Sequence, residues 1–85
     1  MTNSDAAPVP SIRLATPADL PALGHLGTLL VERHHAFDRQ RFIPAAPRTP
    51  FAYASFLGSQ LGTPEAVVLV AEDRGQVVGY AFAAI

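Results

Sequence analysis

The chain has 85 residues, of which 49% are hydrophobic, and a formal net charge of −1. A chain of this length is one domain at most and buries only about 60–65% of its unfolded surface, while its apolar content is too high for a disordered segment. The six cations are all arginines; only Arg39, Arg41 and Arg48 approach a cluster, which a solvated loop accounts for and which is too sparse for a nucleic-acid footprint.

Met1 to Pro10 is polar and proline-bearing and reads as a disordered leader covering residues 1–10. It has neither the basic nor the apolar region of a signal peptide. Ser11 to Ala15 alternates with period two and is expected to be a short strand with Ile12 and Leu14 inward. Thr16-Pro17-Ala18-Asp19 is a helix start: a hydroxyl that can cap, a proline suited to the first helical position, and a carboxylate three residues after the cap. Apolar residues at Leu20, Leu23, Leu26, Leu30 and Val31 make the helix amphipathic, and it is expected to reach His34 or His35. Gly24 and Gly27 each cost about 1 kcal/mol against alanine in a helix. A close backbone approach would account for Gly27; the pattern offers no reason for Gly24.

Pro44, Pro47 and Pro50 make helix improbable between Ala36 and Pro50. Phe37, Phe42 and Ile43 are apolar anchors in this long connection. A second helix is expected from about Phe51 to Leu61, with Thr49 as its cap, Pro50 first and Gly62 ending it.

The stretch Ala66 to Ile85 then reads as two strands joined by a three-residue loop, Asp73-Arg74-Gly75, with Gly75 left-handed. Val67, Leu69 and Ala71 face one way, and Val68 and Val70 the other. In the second strand Val77, Ala81, Ala83 and Ile85 oppose Val78, Tyr80 and Phe82. Both faces are apolar, so the hairpin is expected to lie in the middle of a sheet and to be covered on both sides. The first strand would supply a third partner, since a lone hairpin is marginal. No turn, charge or cap follows the second run. A further segment is therefore expected to pair along Val77, Val78, Tyr80, Phe82 and Ile85, either the rest of a larger domain or another chain. The fold class is α+β, in the order β-α-α-β-β, with three mostly antiparallel strands and two helices.

Two blocks resemble the front half of the GNAT superfamily of N-acetyltransferases. The first is Ile12-Arg13-Leu14-Ala15-Thr16-Pro17-Ala18-Asp19-Leu20. The second is Ala66-Val67-Val68-Leu69-Val70-Ala71-Glu72-Asp73-Arg74-Gly75-Gln76-Val77-Val78-Gly79-Tyr80-Ala81. The segment His34-His35-Ala36-Phe37-Asp38, with Arg41-Phe42, is similar to one bacterial branch. The resemblance spans residues 11–85, as the N-terminal part of a GNAT-like domain. It implies acetyl transfer from acetyl-CoA to a primary amine on a small molecule or peptide, with the neutral amine attacking the thioester and backbone donors stabilising the oxyanion. The family holds the acetyl-CoA pyrophosphate on a loop like Arg/Gln-x-x-Gly-x-Gly/Ala at a helix N-terminus. The glycines at 24, 27, 58, 62, 75 and 79 never form that spacing. The family's fourth strand, and the tyrosine proposed to protonate its leaving thiolate, would lie past Ile85. The expectation is that this chain supplies the acceptor side and does not bind acetyl-CoA alone, its catalytic residues being unassigned.

Among chemistry-bearing side chains, His34, His35, Asp38 and Phe42 are the candidates for lining an acceptor-amine pocket, since the resemblance places the first helices and their connection on that side of the cleft. Adjacent histidines on a helix diverge by about 100°, so they make a poor metal pair, and no metal site is expected. Glu72 and Asp73 border the turn, where acidic residues serve the backbone. Phe51, Tyr53 and Phe56 at helical spacing read as core packing. The absence of cysteine excludes disulfides and zinc–thiolate sites, and no apolar run reaches the ~18 residues of a membrane span. The expected location is the cytoplasm, with neither nucleic acid nor membrane as a partner. The rival function is an assembly module, a homo-oligomer that completes its sheet through the open strand.

Overall fold

Three strands and two helices form in the computed structural model, which describes residues 9–85. The strands are β1 (Ser11–Leu14), β2 (Ala66–Asp73) and β3 (Gln76–Ala84), and the helices α1 (Leu20–Phe37) and α2 (Thr49–Gln60). Their order is β-α-α-β-β, and the class is α+β. The sheet order is β1-β2-β3, antiparallel throughout. β2 is central, but β3, equally apolar on both sides, is an edge strand among the described residues, so only the first half of the hairpin lies inside the sheet as expected. Residues 1–8 of the expected leader lie outside the described residues; Val9 and Pro10 are exposed and carry no regular structure.

A 3₁₀ turn, Pro17–Asp19, leads into α1. The Asp19 carboxylate accepts from the Thr16 N–H at 2.8 Å and from the Thr16 hydroxyl at 3.2 Å, so the carboxylate side of the expected capping arrangement is present. α1 extends to Phe37, beyond the expected end, and its last turn carries His34 and His35 near its carbonyl end. α2 begins at Thr49, two residues earlier than expected. Thr49 is not its cap: the cap position is Arg48, and the Thr49 hydroxyl accepts instead from the Ala46 N–H at 2.8 Å, closing the turn that precedes the helix. Gly62, at φ +76°, ends the helical region as its sequence position implied.

Both helices lie on one face of the sheet. Leu23, Leu57, Val68 and Val70 are the buried core, with Leu20, Leu61, Tyr53 and Val77 packed around them. Gly24 and Gly27 let the helices approach. A Cβ on Gly24 would collide with the Pro50 carbonyl oxygen, and one on Gly27 would collide with the Tyr53 ring. Both glycines are therefore contact points for α2, which gives Gly24 the reason its sequence context lacked.

Three expectations about the sheet are corrected. The hairpin loop has two residues, not three: Arg74 and Gly75 both have positive φ (55° and 79°), the geometry of a type I′ turn that matches strand twist. A bulge follows. Ala71 pairs with Gly79 and Glu72 with Val77, so Val78 has no partner on β2. The bulge breaks the alternation and brings Val77 to the core side with Tyr80, while Val78 is left half exposed. Finally, Ile12 and Leu14 do not point inward. They are 65% and 64% exposed, on the face away from the helices, and Arg13 and Ala15 take the inner positions. That outer face, apolar as it is, has no cover among the described residues.

Candidate functional site

Two arrangements of polar side chains stand out, and they differ in kind. The first is a clasp at the start of the helical layer. Arg13, on the inner side of β1, donates to both Asp19 oxygens at 2.8 and 2.9 Å and to Glu72 Oε2 at 3.2 Å. Asp19 is almost fully buried. The planar guanidinium fork suits this bidentate contact. The Arg13 guanidinium and the Thr16 N–H hold the Asp19 carboxyl well below the usual carboxylate range, and Asp19 and Glu72 in turn raise Arg13. Every charge in this clasp is answered, which makes it a structural tie between β1, β2 and α1.

The second is a cleft between α1, α2 and β3. Its main chamber, about 930 Å³, is walled by Leu26, Leu29 and Leu30 of α1 and by Tyr80 and Phe82 of β3. A side chamber of about 420 Å³ runs under α2 past Phe56 and Ile43. Tyr53, Tyr80 and Phe82 border both chambers. Each is placed by the fold. The Tyr53 ring lies against Gly27, where no side chain stands in the way. The Phe82 ring meets Phe56 edge to face at 5.4 Å. Tyr80 sits opposite Val70 on β2 and so faces the helices. Burial, and the neighbouring Tyr53, push the Tyr80 phenol well above its usual range; it stays a neutral hydroxyl. Glu32 and Arg33 stand on the wall. Arg33 lies 5.7 Å over the Phe37 ring, and Glu32 has no ion-pair partner among the described residues.

The residues singled out from the sequence fall in two places. His34, His35, Asp38 and Phe42 do come together, but as a knot that closes the connection after α1. The His34 and Phe42 rings are 5.0 Å apart, and His35 Nδ1 lies 2.8 Å from the Phe42 carbonyl oxygen. Asp38 Oδ1 accepts from the N–H groups of Gln40 and Arg41, both at 3.1 Å, a local turn interaction. None of the four borders either chamber. Of the edge residues, Tyr80 and Phe82 border the cleft, Val77 packs on the core, and Val78 and Ile85 are exposed. The cleft residues Glu32, Tyr53 and Tyr80 were not legible as a group. Tyr53 reads as helix packing and Tyr80 as strand, and only the Gly27–Tyr53 contact and the β2–β3 register bring them together.

Acetyl-CoA, which the family resemblance implies, needs a glycine-rich run of free N–H groups opening a helix. Gly24 and Gly27 lie inside α1 and Gly58 inside α2, while Gly62 and Gly75 are in turns and Gly79 is within β3. At the start of α1 the Thr16 N–H is taken by Asp19, and the first turn of α2 contains Pro50, which has no N–H. The described residues do not fit the pyrophosphate. No group of three histidines, aspartates or glutamates among them could hold a metal ion, and no helix of the structure is long and apolar enough to cross a membrane. No family model, curated protein or solved structure matches this chain.

Proposed function

We propose that this chain forms the amine-acceptor side of a GNAT-type N-acetyltransferase. The observation that carries the reading is the cleft between α1, α2 and β3. It is largely apolar, of ligand size and bordered by Tyr53 and Tyr80, the make-up of a small-molecule site. The β-α-α-β-β order and the two sequence blocks that resemble the family support it further. On this reading the donor side, where acetyl-CoA would be held, is not built from these residues. A cytoplasmic location goes with this reading.

The test uses the protein as its cells hold it. Protein captured from its source cells with an antibody against this chain, and given acetyl-CoA with a panel of primary amines, is expected to release free CoA only when an amine is present. Absence of amine-dependent release would overturn the reading.

A second reading has its own observation. From Gln76 to Ile85 the sequence holds neither a charge nor a proline, the usual guards of an edge strand. No strand pairs with the second edge of β3 among the described residues. We infer from this an assembly function, in which β3 pairs with a copy of itself or with a strand of another chain. Sedimentation equilibrium would show a species heavier than the 85-residue chain, reduced to the monomer by Ala81→Lys. A monomer before substitution, at all concentrations, would overturn it.

A further inference from the structure

On the assembly reading above, the hydrogen-bond pattern of β3 says which partner fits its open edge, and in what register. The Ile85 N–H donates to the Glu65 carbonyl oxygen at 2.9 Å, so the backbone groups of Ile85 turn toward β2. In an antiparallel ladder such residues alternate with residues turned the other way. Ala83 and Ala81, opposite Val67 and Leu69, therefore also turn toward β2. Tyr80, Phe82 and Ala84 turn their N–H and C=O groups to the open edge. Their partners on β2 are Val70, Val68 and Ala66, so their side chains lie on the helix side, where Phe82 meets Phe56 and borders both chambers of the cleft.

A copy of β3 laid antiparallel along this edge answers all three residues in one register. Centred on Phe82, it pairs Phe82 with Phe82 of the partner subunit and Tyr80 with the partner's Ala84, in both directions. Centred on Tyr80 or Ala81, it sets Phe82 or Ala84 against Val78, at the bulge. Centred on Ala83 or later, it leaves Tyr80 facing no residue of β3. The Phe82 register also sets a bulky ring against a methyl group at Tyr80 and Ala84. Gln76 to Ile85 holds no charge, so two copies bring no like charges opposite one another.

We propose that β3 pairs antiparallel with β3 of a second copy of this chain, centred on Phe82, and that the second copy contributes a residue to the cleft. Residues opposite one another in a ladder share a face, so the two-fold axis stands perpendicular to the sheet and both pairs of helices lie on one side. Phe82 of the partner subunit then stands beside Phe82 at the wall of the cleft. The two three-stranded sheets become one, with no open edge between them.

The chain has no cysteine and no tryptophan, so single substitutions serve as reporters. Ala81 and Ala83 are exposed and lie on the outer face. In the proposed register Ala81 stands opposite Ala83 of the partner subunit, at a pair whose side chains lie within disulfide reach. Ala81→Cys and Ala83→Cys chains, mixed and oxidised, are expected to cross-link about tenfold faster than either chain alone, where the two thiols stand a further ~7 Å apart along the strand. A second readout is Phe82→Trp. Its emission is expected to move to shorter wavelength as the concentration is raised through association, because the two rings cover one another. Three results would overturn the proposal while a heavier species in sedimentation kept the assembly reading: faster linking within either preparation alone, no preference among the three, or tryptophan emission that stays unchanged as the heavier species forms. A monomer at all concentrations would overturn both.

Discussion

The two faces of the sheet are written in the same alphabet and meet different surroundings. Val68 and Val70, 3% and 1% exposed, lie under two helices, whereas Ile12 and Leu14 on the other face are largely open. Alternation along a strand says which residues share a face. Which face is covered depends on the helices, and here both helices lie on the same side. The helical side also carries the polar clasp and the cleft, so its apolar residues do two jobs: packing the core and lining a cavity. The outer side packs no core among the described residues and borders only a recess of about 330 Å³ past Ile12, Leu69 and Ala71.

Substitutions on the two faces should therefore separate widely. Leu23→Ala or Leu57→Ala, at fully buried positions, is expected to cost about 3 kcal/mol in denaturant unfolding. Leu14→Ala on the outer face should cost about 0.5 kcal/mol or less. Comparable losses at Leu14 and Leu23 would break the comparison and point to a covered outer face in solution.

The clasp comes next in size. Asp19→Ala leaves Arg13 with Glu72 as its ion-pair partner and the Leu14 carbonyl as an acceptor, and part of the Arg13 guanidinium is open to water. The expected loss is about 2 kcal/mol, below that for a fully buried pair. The pH dependence follows from the direction of the Asp19 shift. Its folded pKa is depressed, so its contribution is present above the ordinary carboxylate pKa of about 4 and is lost as the pH falls through the still lower folded value. Unfolding curves of the parent chain should weaken below about pH 4, and those of Asp19→Ala should weaken less. Parallel curves would remove Asp19 as the cause.

Gly27→Ala is a smaller and more local test. Helix propensity alone would make it stabilising by about 1 kcal/mol. The collision with the Tyr53 ring should outweigh that gain and leave a net loss of about 1 kcal/mol. A net gain would mean that α1 and α2 do not approach as described. The smallest effect is at Val78, which the bulge leaves half exposed. Val78→Thr should change stability by less than about 0.5 kcal/mol, against about 1 kcal/mol or more for Val77→Thr on the core side. Equal effects would argue against the bulge.

The fold was legible where local chemistry decides it. The Thr16–Asp19 start, Gly62 at the end of the helical region and the two apolar runs of the hairpin all appear where the residues put them. The inward side of β1 was not legible, because Arg13 is held on the inner side by Asp19 and Glu72, partners 6 and 59 residues away. The bulge was not legible either: nothing in Gln76-Val77-Val78-Gly79 fixes which valine pairs. The candidate site was half visible. His34, His35, Asp38 and Phe42 do gather, but their contacts are spent on closing the connection after α1: the histidines on Phe42, and Asp38 on the Gln40 and Arg41 N–H groups. The cleft depends on tertiary placement of Tyr53 and Tyr80, which no local pattern encodes.

The most direct test of the proposed acceptor reading is calorimetric titration of this chain with a primary amine and with acetyl-CoA in turn. That reading predicts heat with a primary amine and none with acetyl-CoA at concentrations up to about 1 mM, where binding of about −4 kcal/mol would be seen. Binding of acetyl-CoA without the amine would contradict the account, because the cofactor site would then have to be built from these residues and the cleft would not be the acceptor site.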